Sequence, residues 1–192
     1  MAKKNEFRPD RPHANWLSKL YLTPQQRKNL LKWVLYGLTL LVLSLVQDVI
    51  LSGVRIFGAS TDLVPCGIFL ICLLEGSHTG SVFTLVASCL FVFSGSAPGN
   101  YCIVLITFLA IAVTLFRQAF LQKGFFTTVL CGSLGVIAYE LLLFVIGAVL
   151  EYTLWSRFPA FFLTGVLSTL VLPILYPICT AIGAIGGSLW KE

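Results

Sequence analysis

Charged residues are scarce in this 192-residue chain: Asp, Glu, Lys and Arg together make up only 11%. Soluble domains average about 25% charged and about 45–50% apolar residues. Here 57% of the residues are hydrophobic and the mean hydropathy is +0.91. Because a soluble fold of this size exposes much of its surface to water, the composition excludes an ordinary soluble domain. It predicts a membrane protein.

Residues that perform catalysis are also few. There are two histidines, His13 in the N-terminal segment and His78 in a turn, and no GxSxG, HExxH or P-loop pattern occurs. Those patterns supply the nucleophile, metal ligands or phosphate cradle of large enzyme classes. We therefore predict that the chain is not an enzyme and that it binds no cofactor.

The six cysteines show no metal-binding or disulfide pattern. They lie in or beside apolar runs, and none forms a CxxC pair. Cysteine in such places usually acts as a small hydrophobic residue. We expect neither a metal site nor a disulfide framework.

The basic residues are concentrated near the N-terminus. Eight of the 13 Lys and Arg residues lie in the first 32 positions. A basic segment can bind nucleic acid, but before a first membrane span it more often sets the orientation of the chain. We favour orientation, predict no nucleic-acid partner, and note that such a segment can also rest on anionic lipid.

Apolar runs separated by turn residues predict an all-α bundle of about six transmembrane helices. A cytoplasmic segment, 1–30, precedes a transmembrane domain, 31–190. Trp16, Leu17, Leu20 and Tyr21 share one helix face, which is compatible with a short interfacial helix in that segment. The predicted spans are 31–51, 56–74, 79–93, 101–116, 125–150 and 159–185. The second and third are short for a ~30 Å core, and as one re-entrant hairpin they would leave four full spans.

Basic residues also predict the orientation. With a cytoplasmic N-terminus, 11 of them lie on the inner side and two, Arg55 and Arg157, on the outer side. The positive-inside rule favours this arrangement, with both termini cytoplasmic. We expect no cleavable secretory signal, because the first apolar run is too long and begins too late.

Small and polar residues should mark the helix faces that meet other helices. On the fifth span, the face opposite the predicted inner face carries large apolar residues: Leu134, Ile137, Leu141, Phe144 and Val145. The predicted inner faces are Gly132, Gly135, Tyr139, Glu140, Leu143 and Gly147 of the fifth span; Gly80, Thr84, Ala87, Ser88 and Phe91 of the third; and Thr107, Ala110, Thr114 and Arg117 of the fourth.

Glu140 is the most informative acid, because it lies near the middle of its span. Facing lipid, a carboxylate there would cost roughly 2.5–3.5 kcal/mol, so it should face inward, be protonated or have a partner. Asp48 fits an interfacial residue and a helix-pairing residue equally well. Asp62 is interpreted as a helix cap, and Glu75 as part of a turn.

Two prolines interrupt the last predicted span. Pro173 and Pro177 remove two backbone donors. They could form a hinge or an exposed carbonyl site, but a fixed kink that shapes a packing surface is the favoured interpretation.

Several motifs follow one another along the chain: the Thr61–Pro65 start of the second span, the Leu90–Gly99 stretch with its Ser-Gly-Ser turn, the basic end of the fourth span at Arg117, and the two segments Leu163–Leu167 and Leu172–Pro177. In this order and spacing, they resemble the rod shape-determining MreD family of bacterial inner-membrane proteins. Phe91 stands where members often carry an acid, and Thr164 where they carry an asparagine. The C-terminal basic tail is reduced to Lys191.

The resemblance implies a non-catalytic scaffold of the elongation machinery for cell shape and lateral peptidoglycan synthesis. It implies binding to the bitopic protein MreC, and indirect links to the wall synthase and an actin-like filament. It also implies similarity to the substrate-binding subunits of energy-coupling-factor transporters, so a small-molecule-binding transporter subunit is the alternative. The candidate packing or partner-binding residues are Glu140, Tyr139, Asp48, Phe91, Ser94, Gly95, Thr164, Pro173 and Pro177.

Two substitutions of Glu140 should have opposite outcomes. Glu140→Gln should be tolerated, because an amide is neutral and nearly isosteric. Glu140→Lys should abolish formation of the partner complex, because a long cation would be placed in the bundle interior. Partner recovery after affinity purification measures both, and equal recovery of the two variants would indicate that Glu140 faces a wet surface.

Overall fold

A computed structural model describes residues 24–53, 59–122 and 124–186, which are almost wholly helical. Short 3-10 helices lie at Leu51–Gly53 and Trp155–Arg157. The interfacial helix predicted around Trp16 and the start of the second predicted span at 56 lie outside the described residues. The α-helices are α1 Pro24–Val49, α2 Leu63–Glu75, α3 Ser77–Phe93, α4 Tyr101–Phe120, α5 Phe125–Val149, α6 Phe158–Thr169 and α7 Leu172–Ile185.

Three of these helices are long and apolar enough to cross a membrane: Gln25–Val49, Tyr101–Phe120 and Phe125–Val149. The pair α6 and α7, bent by 44° at a short break, raises the count to four if it forms one broken span. A helical protein with several potential spans is therefore confirmed. Six full spans are not, because α2 and α3 have only 13 and 17 residues, or about 20 and 25 Å.

The short helix α2 forms the centre of the bundle. Every residue from Leu63 to Leu74 is buried, and α1, α3, α4, α5 and α7 all contact it. A helix that is apolar on all sides is stable only when it is enclosed. The sequence of α2 therefore matches its position, and the other helices surround it.

Helix α1 begins at Pro24, seven residues before the predicted first span. Proline is favoured at the first helical position because its fixed φ suits a helix and its missing N–H would be unbonded there anyway. The helix thus extends into the predicted cytoplasmic segment, since a helix can continue beyond the apolar run that crosses the lipid.

The predicted inner faces are confirmed, except that Thr107 of α4 is only half-buried. The buried residues of α3 are the five predicted, and the six predicted residues of α5 are all buried. On α4, Thr107 is half-buried and the other three are buried. Phe144 was wrongly placed on the outer face: it is 2% exposed, because the aromatic rings of Trp155, Phe158 and Phe161 pack around it.

The bundle has two ends, named here by the course of α1. At the near end, where α1 begins, Gln25 Nε2 donates to the Gly186 carbonyl at 3.1 Å, and Gln118 lies against Gly76 in the α2–α3 turn. At the far end, where α1 ends, Asp48 meets Ser96 in the loop after α3. The helices therefore run alternately between the two ends.

The predicted sixth span divides at Leu170–Val171, between α6 and α7. Pro173 is the second residue of α7, and a proline there clashes with the carbonyl four residues earlier. Pro177 instead lies within the continuous helix α7. The side chains of both prolines are exposed on the outside of the bundle, and only Pro173 lies next to the bend.

Gly80 provides a test of the packing around α2. A Cβ added there would lie 2.8 Å from the Cys72 carbonyl oxygen, whereas one added at Gly37 would meet nothing within 4 Å. Gly80→Ala should destabilise the fold by about 1–3 kcal/mol, because backbone must move to make room. The matched control, Gly37→Ala, should not lower stability. Thermal unfolding in detergent compares the two, and equal melting temperatures would contradict the close packing of α2 and α3.

Candidate functional site

A buried ion pair at the near end joins α1, α2 and α7. Lys32 Nζ lies 2.6 Å from Glu75 Oε2, with side-chain exposures of 4% and 5%. The Tyr36 hydroxyl lies 3.0 Å from Glu75 Oε1 and 3.2 Å from the Cys179 carbonyl of α7. The interpretation of Glu75 as part of a turn is therefore incomplete, because its carboxylate is paired across the bundle. His78, two residues beyond the turn glycine, is exposed.

At the far end, Asp48 accepts hydrogen bonds from the loop after α3. Ser96 Oγ lies 2.9 and 2.8 Å from the two carboxylate oxygens of Asp48. Ser94 Oγ lies 3.0 Å from Ser96 Oγ and donates to the Phe91 carbonyl at 2.7 Å. Asp48, Ser94 and Ser96 form what we call the far-end cluster. It gives Asp48 a helix-pairing role, because it links the end of α1 to the end of α3.

The backbone conformation at position 95 explains why the loop after α3 has a glycine there. The φ of Gly95 is +78°, in the left-handed region that residues with a Cβ rarely adopt. This turn brings Ser94 and Ser96 to the same side of the chain, where their hydroxyls meet. The Ser-Gly-Ser motif thus combines a backbone requirement with two hydroxyls, of which Ser96 bonds Asp48 and Ser94 bonds Ser96.

A third polar group of residues lies within the bundle, where α2 begins. The carboxyl group of Asp62, just before α2, lies within hydrogen-bonding reach of the carboxyl group of Glu140 on α5. The Asp62 backbone N–H donates to Ser168 Oγ of α6 at 2.9 Å. The Cys66 thiol donates to the Ser168 carbonyl at 3.3 Å. We call Asp62, Glu140, Tyr139 and Ser168 the mid-bundle cluster.

Two atoms of the mid-bundle cluster are buried without a hydrogen-bond partner in the described part of the chain. They are Glu140 Oε1 and Tyr139 Oη, in residues that are 2% and 0% exposed. Tyr139 Oη lies beside the Cys102 thiol of α4. A native interior contains few such atoms, because each one loses its hydration without compensation.

The mid-bundle cluster lies at a level where two helices are interrupted. From its near-end terminus at Glu75, α2 extends only about 20 Å, short of a ~30 Å apolar layer. The break between α6 and α7 follows directly after Ser168, which bonds the residue before α2. Non-helical backbone at membrane depth is tolerated only where protein or a cavity encloses it.

The interpretation of Asp62 as a helix cap is wrong. Its side chain makes no capping hydrogen bond. Instead Gln47 Oε1 of α1 accepts from the Val64 N–H at 3.0 Å. The Asp62 carboxyl is directed to Glu140, and this pairing was missed because the two residues are far apart in sequence. The signal was present in the length of α2: an apolar run of 12 residues that follows an acid is too short to begin at a membrane surface.

Close approach of α6 to α5 positions Glu140. A Cβ added at Gly165 would lie 3.4 Å from Ile137 Cα and 3.5 Å from Glu140 Cγ. Thr164, the neighbouring candidate residue, is buried at 8% exposure. The small residue at position 165 therefore lets the backbone of α6 pack directly over the stem of Glu140.

A groove on the outside of the bundle runs between α1 and α3. Its far half encloses about 270 Å³ and includes the exposed Gly37 and Leu41 and the buried Phe91. Its near half, of about 420 Å³, is bordered by Trp33, His78, Thr79, Val82, Phe83 and Val86. Phe83 and Val86 line both halves. This α1–α3 groove ends at Ser44 and Ser94, next to the far-end cluster.

The nine candidate residues therefore fall into three places. Glu140, Tyr139 and Thr164 lie inside the bundle, and Pro173 and Pro177 lie on the outer side of α7. The remaining four, Asp48, Phe91, Ser94 and Gly95, lie at the far end of the α1–α3 groove. No protein-family model, curated protein or solved structure matches this chain, so the geometry of these sites carries the interpretation.

Replacing only Lys32 of the buried ion pair should destabilise the fold more than replacing both Lys32 and Glu75. Lys32→Ala alone leaves Glu75 buried without its cation and should destabilise the fold by about 3–5 kcal/mol. The double variant Lys32→Met with Glu75→Gln should be more stable than Lys32→Ala, because no uncompensated charge remains. Thermal unfolding of the two variants and the parent chain tests this order, and a double variant less stable than Lys32→Ala would contradict it.

Proposed function

We propose that this chain is a non-catalytic membrane scaffold of the bacterial elongation machinery, which holds the single transmembrane helix of an MreC-like partner in the α1–α3 groove. The observation that carries the proposal is the open, apolar groove on the lipid-facing side of the bundle. The resemblance to the rod shape-determining family supplies the partner and the biological context. The proposed location is the bacterial inner membrane, with both termini cytoplasmic.

The lining of the groove suits a helix. Transmembrane helices associate by close packing, which small residues allow. Gly37 and Ser44 of α1 and Ala87 of α3 line the far half, and a Cβ at Gly37 would meet nothing. Large apolar side chains border these small residues, with Leu41 at 56% and Leu90 at 63% exposure. The small residues allow a partner helix to approach closely, and the large residues beside them supply apolar contacts to it.

The far-end cluster gives the groove a polar end. Asp48 is exposed although Ser96 bonds it. A carboxylate near a membrane interface can also receive a donor from a partner segment that leaves the bilayer there. The part of the chain that resembles the family most specifically, Leu90–Gly99, lies along this end of the groove. The resemblance and the geometry therefore favour the same surface.

Filling the groove should weaken partner binding. Gly37→Leu adds a side chain to open space, so the fold should keep its stability. Recovery of an MreC-like partner in co-purification should fall by about tenfold or more, which corresponds to ~1.4 kcal/mol. Ala112→Leu is the matched control, because Ala112 is exposed on α4. Equal recovery with both variants would exclude the groove as the binding surface.

Cross-linking separates a helix from lipid as the occupant. A photo-reactive residue at Leu41 or Leu90 should capture the partner, whereas one at the exposed Phe108 of α4 or Leu134 of α5 should not. Capture of lipid alone at both groove positions would count against a partner helix. In the source bacterium, depletion should round the cells and reduce lateral wall incorporation. Unchanged shape would contradict the scaffold function.

A small-molecule-binding transporter subunit is the second candidate. The observation that favours it is the interruption of α2 and of α6–α7 at the same level, next to Asp62 and Glu140. Broken helices of this kind build substrate and ion sites in transporters. The same co-purification distinguishes the two functions, because recovery of ATPase subunits supports the transporter and recovery of a bitopic partner supports the scaffold.

A further inference from the structure

We propose that the mid-bundle cluster is a binding site for a small monovalent cation, in which the carboxyl groups of Asp62 and Glu140 and the hydroxyl of Tyr139 hold a proton or a sodium ion. The site is independent of the α1–α3 groove and does not require the scaffold function. Its ligand is defined by the oxygen donors that converge within the bundle.

Asp62 and Glu140 bring two acidic groups together inside the bundle. Two carboxylates in contact within an apolar interior cannot both remain ionised without a cation between them. The five basic residues that the structure describes, Arg27, Lys28, Lys32, Arg117 and Arg157, lie toward the two ends of the bundle. Lys32 bonds Glu75, and Arg117 Nη1 donates to Thr128 Oγ1 at 3.2 Å near the start of α5. Among the described residues, no basic side chain is placed to neutralise the pair, and a bound proton or sodium ion would do so.

Two buried oxygen atoms of the mid-bundle cluster have hydrogen-bonding capacity that the described residues do not use. Glu140 Oε1 and Tyr139 Oη are buried, and neither makes a hydrogen bond within the described residues. Both belong to the same turn of α5, and Tyr139 also interacts electrostatically with Asp62 and Glu140. A carboxylate oxygen and a hydroxyl oxygen are hard ligands, of the kind that alkali cations prefer over sulfur, and a carboxylate also accepts a proton.

Neighbouring residues fix the positions of Asp62, Glu140 and Tyr139. Ser168 holds the Asp62 backbone through its Oγ and the Cys66 thiol through its carbonyl. Gly165 brings α6 against the Glu140 stem, and Phe69 packs against the ring of Tyr139 with centroids 6.5 Å apart. The oxygens are thus positioned by α2, α5 and α6 before any cation arrives, which lowers the ordering cost of binding.

Among the described residues, few titratable or polar groups face the pair. From α2 it is Cys66, from α4 Cys102, and from α5 Tyr139. On α6 the neighbouring polar residues are Thr164 and Ser168. None of these carries a positive charge. A change in proton or sodium occupancy should therefore be controlled by Asp62 and Glu140 themselves.

Thermal unfolding of the full chain in detergent tests the site. At constant ionic strength, replacing choline chloride by sodium chloride at about ten times its Kd should raise Tm by about 3–5 °C. Potassium chloride tests selectivity by size. Glu140→Gln and Asp62→Asn should each abolish the sodium effect. Asp48→Asn removes an exposed carboxylate at the far end and should preserve it.

Measuring Tm over a series of pH values distinguishes a proton from a sodium ion as the occupant. If a proton is the occupant, sodium should have no specific effect. Tm should then fall as pH rises through the range in which the pair loses its shared proton, because two adjacent negative charges would remain. This fall should be absent in Glu140→Gln and Asp62→Asn. Sodium dependence and pH dependence that are the same in the parent chain and both variants would overturn the proposal.

Discussion

Enclosure of α2 is the constraint on which the rest of the structure depends. This helix has no polar face, and all its residues from Leu63 to Leu74 are buried. It therefore requires neighbours on every side, and the other six α-helices supply them. Small residues such as Gly80 and Gly135 allow those neighbours to approach: a Cβ at Gly135 would lie 3.0 Å from the Phe69 ring of α2.

A short enclosed helix also places polar groups inside the bundle. Acids flank α2 at both ends, Glu75 and Asp62, and neither is free in water. Glu75 is neutralised by Lys32, which reaches across from α1. Asp62 instead meets a second acid, Glu140. The Glu75 end of α2 is therefore electrically balanced by Lys32, whereas two acids meet at the Asp62 end, and this difference separates a structural ion pair from the proposed cation site.

The proposed partner surface lies apart from this interior. The α1–α3 groove faces outward, and its position follows from the limited contact between α1 and α3, which both pack mainly on other helices. A partner helix in the groove would cover apolar side chains without entering the mid-bundle cluster. The two proposals thus concern separate parts of the protein and can fail separately.

The sequence by itself determined the helical class with several potential membrane spans, most helix positions and the inner faces of α3 and α5, because these depend on composition and helical periodicity. Only the tertiary structure decided the partner of each acid: Lys32 for Glu75, and Glu140 for Asp62. It also showed that α2 is enclosed, that Phe144 is covered by aromatic rings, and that Gln47 rather than Asp62 caps α2. These outcomes depend on contacts between residues far apart in sequence, which local periodicity cannot encode.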